Sequence, residues 1–170
     1  MENKSLREKI QNIPVPLLPT MVGAATLSNV FTGMGYSLVR HVTMLSATII
    51  LFFYIIKITM YFDTCKKEYS NVIPASLYAG FPMIMMLLGS YYFDYNQLLG
   101  KGLWAAGLII DAVHILIFTY RNVIKGVKLD TFVPSWFVTY NGILVSAVIG
   151  IPMKEPFICK IIAIYGIAVF

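Results

Sequence analysis

Residues 72–92 read VIPASLYAGFPMIMMLLGSYY, a stretch with a proline near its start and no charged side chain. It is long enough to cross a bilayer as a helix, because the hydrocarbon core requires about 20 mostly apolar residues. Pro74 lies where a first helical turn is expected, and there the missing N–H of proline removes no hydrogen bond. We therefore predict a membrane-spanning helix that begins near Pro74.

Two further stretches begin in the same way at a constant distance along the chain. Pro14 (IPVP, 13–16) lies 60 residues before Pro74, and Pro134 (FVPSW, 132–136) lies 60 residues after it. A constant interval of this length is typical of tandem two-helix units, although chance spacing of prolines is the alternative. We expect hairpin repeats at 14–73, 74–133 and 134–170, the last one incomplete.

The composition of the chain also indicates a membrane protein. Hydrophobic residues make up 58% of the 170 residues and charged residues only 12%, whereas soluble domains carry about 25% charged residues. We predict an all-α integral membrane protein with a polar N-terminal segment, 1–13, and a single transmembrane domain, 14–170. The expected spans are 17–39, 42–62, 74–93, 101–120 and 131–152, with a partial sixth span from Phe157.

The basic residues lie between the apolar runs, which favours membrane-flanking charges over a nucleic-acid surface for the net charge of +5. Nine of them fall on the N-terminal side of the predicted topology and four on the other side. The positive-inside rule then places the N-terminus in the cytoplasm. Lys57 is expected to snorkel toward that side. Tyr91, Tyr92, Tyr95 and Trp104 predict an interfacial aromatic belt, with a simple loop cluster as the alternative.

The odd-numbered spans carry small or weakly polar side chains at helical spacing and no acid or base. A neutral wall of this kind suits an anion better than a cation, because it has no carboxylate ring. Close helix packing through small residues is the alternative for every such stripe. Pro82 further predicts a kink. The candidate pore-lining residues are Gly23, Thr26, Val30 and Gly33 in span one, Ala79, Pro82 and Gly89 in span three, and Ser135, Thr139, Gly142 and Ser146 in span five.

Asp111 and His114 lie three residues apart near the middle of span four, so they share a helix face. Ionisable residues at that depth are functional candidates by default, and histidine changes charge near neutral pH. The hypothesis is a proton-coupling pair; the alternatives are a self-satisfied pair or a partner for a residue outside this chain. Two ligands without a third do not predict a metal site. The isolated cysteines, Cys65 and Cys159, predict neither a disulfide nor a metal site, and no cofactor is expected.

Three segments resemble the tellurite-resistance/dicarboxylate transporter family: PVPLLPTMVGAATLSN (14–29), VIPASLYAGFPMIMMLLGSYY (72–92) and TFVPSWFVTYNGILVSAVIG (131–150). This family includes bacterial tellurite-resistance proteins, yeast malate permease and the slow anion channels of plant guard cells. The resemblance implies a ten-helix, pseudo-fivefold pore fold of hairpins. In that fold the odd helices line the pore, the even helices form an outer layer, and three copies assemble into a homotrimer.

The resemblance implies that the chain is the N-terminal half of an anion channel or transporter rather than an enzyme. The expected solutes are C4-dicarboxylates or small inorganic anions, and the expected location is the bacterial cytoplasmic membrane. The expected partners are the lipid bilayer, the anionic solute and a missing C-terminal half of the pore. The family's gate is a phenylalanine on the ninth helix, so no residue here takes that role. The alternatives are a non-transporting remnant and a membrane enzyme that uses Asp111 and His114.

Overall fold

The computed structural model describes residues 6–126 and 132–169, and within these ranges the chain forms helices and no strand. The helices, numbered in chain order, are α1 (Leu6–Gln11), α2 (Leu17–Gly33), α3 (Ser37–Met60), α4 (Phe62–Ser70), α5 (Val72–Leu77), α6 (Gly80–Phe93), α7 (Gln97–Thr119, continued by a π-helical turn, Tyr120–Ile124), α8 (Trp136–Asn141), α9 (Leu144–Ile149, followed by a 3₁₀ turn, Ile151–Met153) and α10 (Pro156–Val169).

Three helices of the described chain are long and apolar enough to cross a membrane. They are Ser37–Met60, Val72–Phe93 (α5 and α6 together) and Gln97–Ile124, with mean hydropathies of 2.0, 1.7 and 1.8. At 1.5 Å per residue, the 24 residues of α3 reach about 36 Å, more than the ~30 Å hydrocarbon core. The prediction of a helical membrane protein is therefore confirmed at this level.

The first predicted span, 17–39, is shorter than expected. Helix α2 ends at Gly33, and Gly35 follows with a φ of 93°, a conformation that glycine adopts without strain. The N–H of Tyr36 donates to the carbonyl of Phe31, and that of Gly35 to the carbonyl of Thr32. These bonds form a Schellman motif, which ends helices at glycine. Residues 37–39 consequently belong to α3, and the predicted boundary was wrong.

The fifth predicted span, 131–152, is shorter than expected. It forms one apolar helix, Trp136–Ile149, in which a tightened turn at Gly142 and Ile143 separates α8 from α9. The N–H of Val145 donates to the Gly142 carbonyl and that of Ser146 to the Ile143 carbonyl, so the turn is tightened to three-residue spacing. Residue 131 lies outside the described residues. The predicted boundary at 152 was wrong, because the helix ends at Ile149 and a 3₁₀ turn, Ile151–Met153, follows it.

A similar interruption separates α5 from α6 at Tyr78 and Ala79, a few residues before Pro82. Proline lacks an N–H, so it cannot donate to the Tyr78 carbonyl in the α-helical pattern. That carbonyl accepts instead from the N–H of Phe81 at 3.0 Å. The structure therefore places the interruption one turn before Pro82, where the missing donor is compensated.

The helices pack as consecutive hairpins with α6 at the centre. Helix α2 packs against α3, α6 against α7, and α9 against α10, while α6 also contacts both α2 and α9. In the most apolar stretch of Val72–Phe93, 61% of the residues are buried, compared with 28% for the α3 and α7 spans. Helix α6 is thus central, and the segments of the odd-numbered predicted spans contact one another through it; we call these segments the inner row. The fivefold ring expected from the resemblance stays a prediction.

Glycines bring α6 and α7 into direct backbone contact. A Cβ atom at Gly100 would lie 2.4 Å from the backbone nitrogen of Phe93, and one at Gly89 would lie 2.7 Å from the backbone nitrogen of Trp104. Neither backbone can move away without disrupting its helix. Close approach through small residues is a common basis of helix association in membranes. The central hairpin therefore depends on these positions having no side chain.

Candidate functional site

The pore-lining candidates of span one lie on an exposed face of α2. Gly23, Thr26, Val30 and Gly33 are all exposed, and the Val30 side chain is 58% accessible. A Cβ atom at Gly23 or Gly33 would meet no atom within 4 Å. The Thr26 hydroxyl donates to the carbonyl of Val22 in its own helix, so it is held on the surface. The inner row of helices therefore presents a neutral face that no described residue covers.

The candidates of span three lie instead inside the helix bundle. Ala79, Pro82 and Gly89 are buried, and Gly89 faces the α7 backbone. The α6 surface that carries these residues is thus occupied by neighbouring helices. For span three the geometry favours the packing interpretation over a pore wall.

The candidates of span five also contact neighbouring helices. Thr139 is fully buried, and its hydroxyl donates to the carbonyl of Ser76 at 3.2 Å. The Ser76 hydroxyl lies 2.8 Å from that of Ser135, which is half-buried. Ser146 is fully buried, and a Cβ atom at Gly142 would lie 3.0 Å from the sulfur of Met83 in α6. These polar groups join the openings of the third and fifth spans rather than facing an open surface.

Asp111 and His114 share the inner face of α7, as their spacing predicts. Asp111 is 0% exposed, and neither of its carboxyl oxygens has a hydrogen-bond partner among the described residues. His114 is 9% exposed; its Nδ1 lies 3.1 Å from the Tyr69 hydroxyl, and its Nε2 has no partner. The two side chains therefore do not satisfy each other, which removes the self-satisfied pair as an explanation.

Two polar groups that the sequence did not single out complete this region. The side-chain oxygen of Asn141 in α8 and the hydroxyl of Tyr165 in α10 are buried and unpartnered within the described chain. Tyr165 packs against the apolar cluster of Ile115, Ile143 and Ile162, and Ile115 lies one helical turn from Asp111 on α7. Their only sequence signal is polarity inside an apolar segment, which does not say which neighbour they face. We call Asp111, His114, Asn141 and Tyr165 the internal polar site.

A cleft lies beside the internal polar site. Its volume is about 580 Å³, and its lining includes Thr119, Tyr140 and Tyr165. The hydroxyls of Thr119 and Tyr140 are 3.0 Å apart, which connects α7 with α8. The remaining lining is mostly apolar, from residues such as Trp136 and Phe137. Tyr165 is thus shared between the cleft and the internal polar site.

The environment of Tyr69 in α4 joins this region to the end of the bundle. The Arg121 guanidinium donates to the Tyr69 carbonyl at 2.9 Å and lies 5.1 Å from the centre of its ring. Burial raises the pKa of the Tyr69 phenol above its ordinary value, and the positive charge of Arg121 partly opposes this rise. Tyr69 therefore remains a neutral hydrogen-bond partner for His114 at ordinary pH.

The prediction that Lys57 snorkels was wrong. Its side chain is 0% exposed, and its ammonium group donates to both carboxyl oxygens of Glu68, at 2.8 and 2.9 Å. It also donates to the backbone carbonyl of Ile13 at 2.8 Å. The Tyr78 hydroxyl donates to the same carboxylate. This buried ion pair links the start of α2 to α3 and α4, and the sequence did not identify Glu68 as a partner.

Two other ion pairs connect successive hairpins. Arg40 pairs with Asp94 at 3.0 Å, and Lys101 pairs with Glu155 at 2.5 Å. Each pair joins a helix start in one hairpin to a turn in the next. Because these side chains are partly exposed, we expect each pair to contribute at most about 1 kcal/mol. They align the hairpins and do not form an anion site.

Of the four residues predicted to form an aromatic belt, only the three tyrosines lie together near a turn. Tyr91, Tyr92 and Tyr95 contact one another near the turn between α6 and α7. Trp104 is instead 1% exposed, and its indole N–H donates to the Ser146 carbonyl at 3.1 Å. Trp104 is therefore a core residue between α7 and α9, and the expectation for it was wrong.

No protein-family model matches the chain, and no curated protein is similar to it. Among residues 6–126 and 132–169, no three His, Cys, Asp or Glu side chains are grouped so that they could hold a metal ion. The functional interpretation therefore depends on the residues and their arrangement.

Proposed function

We propose that the chain is the N-terminal half of an anion channel or transporter similar to the tellurite-resistance/dicarboxylate transporter family. It would act in the bacterial cytoplasmic membrane with its N-terminus in the cytoplasm, and its solutes would be C4-dicarboxylates or small inorganic anions. Three apolar helices of membrane-spanning length support a location in a membrane. The inner row of odd segments supports the pore arrangement.

The observation that carries the proposal is the exposed neutral face of α2, which we call the α2 stripe: Gly23, Thr26, Val30 and Gly33. It belongs to the inner row but has no described neighbour, whereas the equivalent surfaces of spans three and five are covered. A pore wall that passes anions has to be polar enough for partial hydration and free of carboxylates. The α2 stripe carries no carboxylate, presents the Thr26 hydroxyl, and would be open to the second half of a pore.

The partners follow from the same geometry. A second set of helices, which the resemblance implies, would face the α2 stripe across the conduit. Exposed apolar side chains on the outer helices, such as Leu45, Phe52 and Leu116, fit the lipid bilayer or further copies in a homotrimer. Neither surface carries the clustered cations that nucleic acid requires.

The test is anion flux through the gene product as the cell makes it, reconstituted in liposomes. Uptake of malate, chloride, nitrate and tellurite would be compared in parallel. Gly23→Leu and Gly33→Leu are the informative variants, because a side chain there meets no neighbour and the fold is preserved. Gly102→Leu is the matched control, since it is equally unobstructed but lies on the outer helix α7.

We expect both α2 variants to lower anion flux at least tenfold while Gly102→Leu conducts like the unmodified protein. Equal flux in all three variants would show that the α2 stripe does not line a pore and serves helix packing instead. A correctly folded protein with no flux for any of the four anions would favour the non-transporting alternative. Enlarging Thr139 or Ser146 is a poorer test, because both side chains are fully buried and the fold itself would change.

A further inference from the structure

The internal polar site combines five buried polar atoms that lack partners. They are both carboxyl oxygens of Asp111, Nε2 of His114, the side-chain oxygen of Asn141 and the hydroxyl of Tyr165, all unpartnered within the described residues. They come from three helices, α7, α8 and α10, whose apolar side chains pack together around Ile115, Ile143 and Ile162. Native proteins pair almost all buried polar atoms, so such a concentration indicates a ligand.

The charge state of Asp111 narrows the choice of ligand. An ionised carboxylate without a counter-charge is strongly disfavoured in an apolar interior, and the neutral form takes its place. No cation among the described residues pairs with Asp111. The lysines and arginine that form ion pairs, Lys57, Lys101 and Arg40, are bonded to other carboxylates. A proton is therefore the simplest cation that neutralises Asp111.

The hydrogen-bonding groups of the site are complementary to a protonated carboxyl and water. Protonated Asp111 offers one donor and one acceptor, and the Asn141 oxygen is an acceptor only. If His114 donates from Nδ1 to the Tyr69 oxygen, its Nε2 is an acceptor; in the other tautomer it is a donor. The Tyr165 hydroxyl serves as either. Donors and acceptors are thus mixed, whereas a metal ion would require acceptors throughout.

The site also has a route to the exterior of the bundle. Tyr165 lines the cleft of about 580 Å³ and also packs against the cluster that contains Ile115, which lies one helical turn from Asp111 on α7. The cleft lies toward the end of α7 that carries Thr119, where Tyr140 adds a second hydroxyl. The Tyr165 side chain lines the cleft while its hydroxyl is buried, so this residue lies between the cleft and the interior of the bundle.

We propose that the internal polar site binds an exchangeable proton on Asp111, which reaches bulk water through the Tyr165 hydroxyl and the adjacent cleft. The proposal holds whether or not the chain conducts anions, because it concerns proton binding alone. The protonated carboxyl would bridge α7 to α8 and α10 through water and the Asn141 oxygen. Loss of the proton would leave a buried negative charge and loosen this contact.

Several elements pack near the internal polar site, and not all of them carry titratable side chains. Helix α6 contributes none between Gly80 and Gly89, and α9 contributes none. Lys160 on α10 is exposed. The titratable or charged side chains near the internal polar site, on helices that pack around it, are His114 on α7, Tyr69 on α4, Tyr140 on α8 and Tyr165 on α10. Arg121 also lies over the ring of Tyr69.

The test is infrared spectroscopy of the full chain in liposomes, with the C=O stretching band of a protonated carboxyl as the readout. Asp111→Asn removes the group and keeps its size. Asp94→Asn is the matched control, because that aspartate lies at the surface in a pair with Arg40. Tyr165→Phe keeps the ring and removes the hydroxyl. Carbon-13 labelling of aspartate in the unmodified protein identifies the band even if Asp111→Asn does not fold.

We expect a band at neutral pH that shifts on aspartate labelling, persists in Asp94→Asn and disappears in Asp111→Asn. It should decline at alkaline pH and shift on transfer to heavy water. Tyr165→Phe should slow the heavy-water shift about tenfold. A folded protein with no such band at neutral pH would overturn proton binding, as would a band that never titrates or exchanges. Unchanged exchange in Tyr165→Phe would overturn the route through the cleft.

Discussion

The buried ion pair between Lys57 and Glu68 offers the sharpest test of the fold. Lys57 is 0% exposed at its side chain, whereas Glu68 is 26% exposed. We propose to remove each partner in turn, as Lys57→Met and Glu68→Gln, and then both together. The two single changes delete the same contact but leave different groups behind, so the structure predicts an asymmetric result.

The magnitude follows from what each variant leaves uncompensated. Glu68→Gln leaves a fully buried ammonium with only neutral acceptors, including the Ile13 carbonyl, and should destabilise the fold by roughly 3–5 kcal/mol. Lys57→Met leaves a carboxylate that still accepts from Tyr78 and reaches water, so about 1–3 kcal/mol is expected. The double variant has no buried charge and should be about 2 kcal/mol more stable than the sum of the single effects predicts.

Thermal and denaturant unfolding in detergent micelles, followed by circular dichroism, would measure these differences. Lys66→Met is the matched control, because Lys66 lies exposed on α4 near the same end of the bundle. The free energy of unfolding of Lys66→Met should differ from that of the unmodified protein by no more than about 0.5 kcal/mol. If Lys57→Met and Glu68→Gln were both as mild as this control, Lys57 would be solvated and the described packing of α1–α4 would be wrong.

Three further outcomes are expected. Gly100→Ala should lower the free energy of unfolding by at least about 1–3 kcal/mol, because its Cβ atom would collide with the α6 backbone. Gly102→Ala is the control: no atom lies within 4 Å of its Cβ position, so thermal unfolding should show it to be neutral or slightly stabilising. Since the pKa of Tyr69 is raised in the fold, its neutral form contributes stability that is present below about pH 10 and lost as pH rises through the higher folded value; Tyr69→Phe should flatten this alkaline decline in unfolding curves. A cysteine at Lys9 should react with a membrane-impermeant thiol reagent only from the cytoplasmic side and one at Leu98 only from outside; the reverse labelling would invert the predicted topology.

The class of fold was readable from the sequence because it depends on composition and run length. An apolar run near 20 residues has few stable alternatives to a membrane helix, since its backbone must satisfy itself in lipid. The predicted spans 42–62, 74–93 and 101–120 accordingly coincide with α3, α5–α6 and α7. Prolines near the starts of helices could also be interpreted from the sequence, because the first helical turn does not need the N–H that proline lacks.

The interruptions within the apolar runs were less accessible. Gly35 ends α2 by adopting a positive φ, but the same residue type lies unremarkably inside α7 at Gly102. Gly142 likewise stands at a break, whereas Gly89 lies within a continuous helix. Glycine permits a turn without requiring one, so its neighbours in space decide the outcome.

The sequence by itself therefore determined a helical membrane protein of antiparallel hairpins with ionisable side chains on the even spans. Only the tertiary structure decided which way those side chains face: Lys57 meets Glu68, and Asp111 is buried without a charged partner among the described residues. The free energy of transferring an apolar segment into the membrane depends on the composition of that segment alone, so the sequence is sufficient to predict it. Pairing of buried polar groups depends on residues distant in the chain, and it becomes defined only when the helices pack.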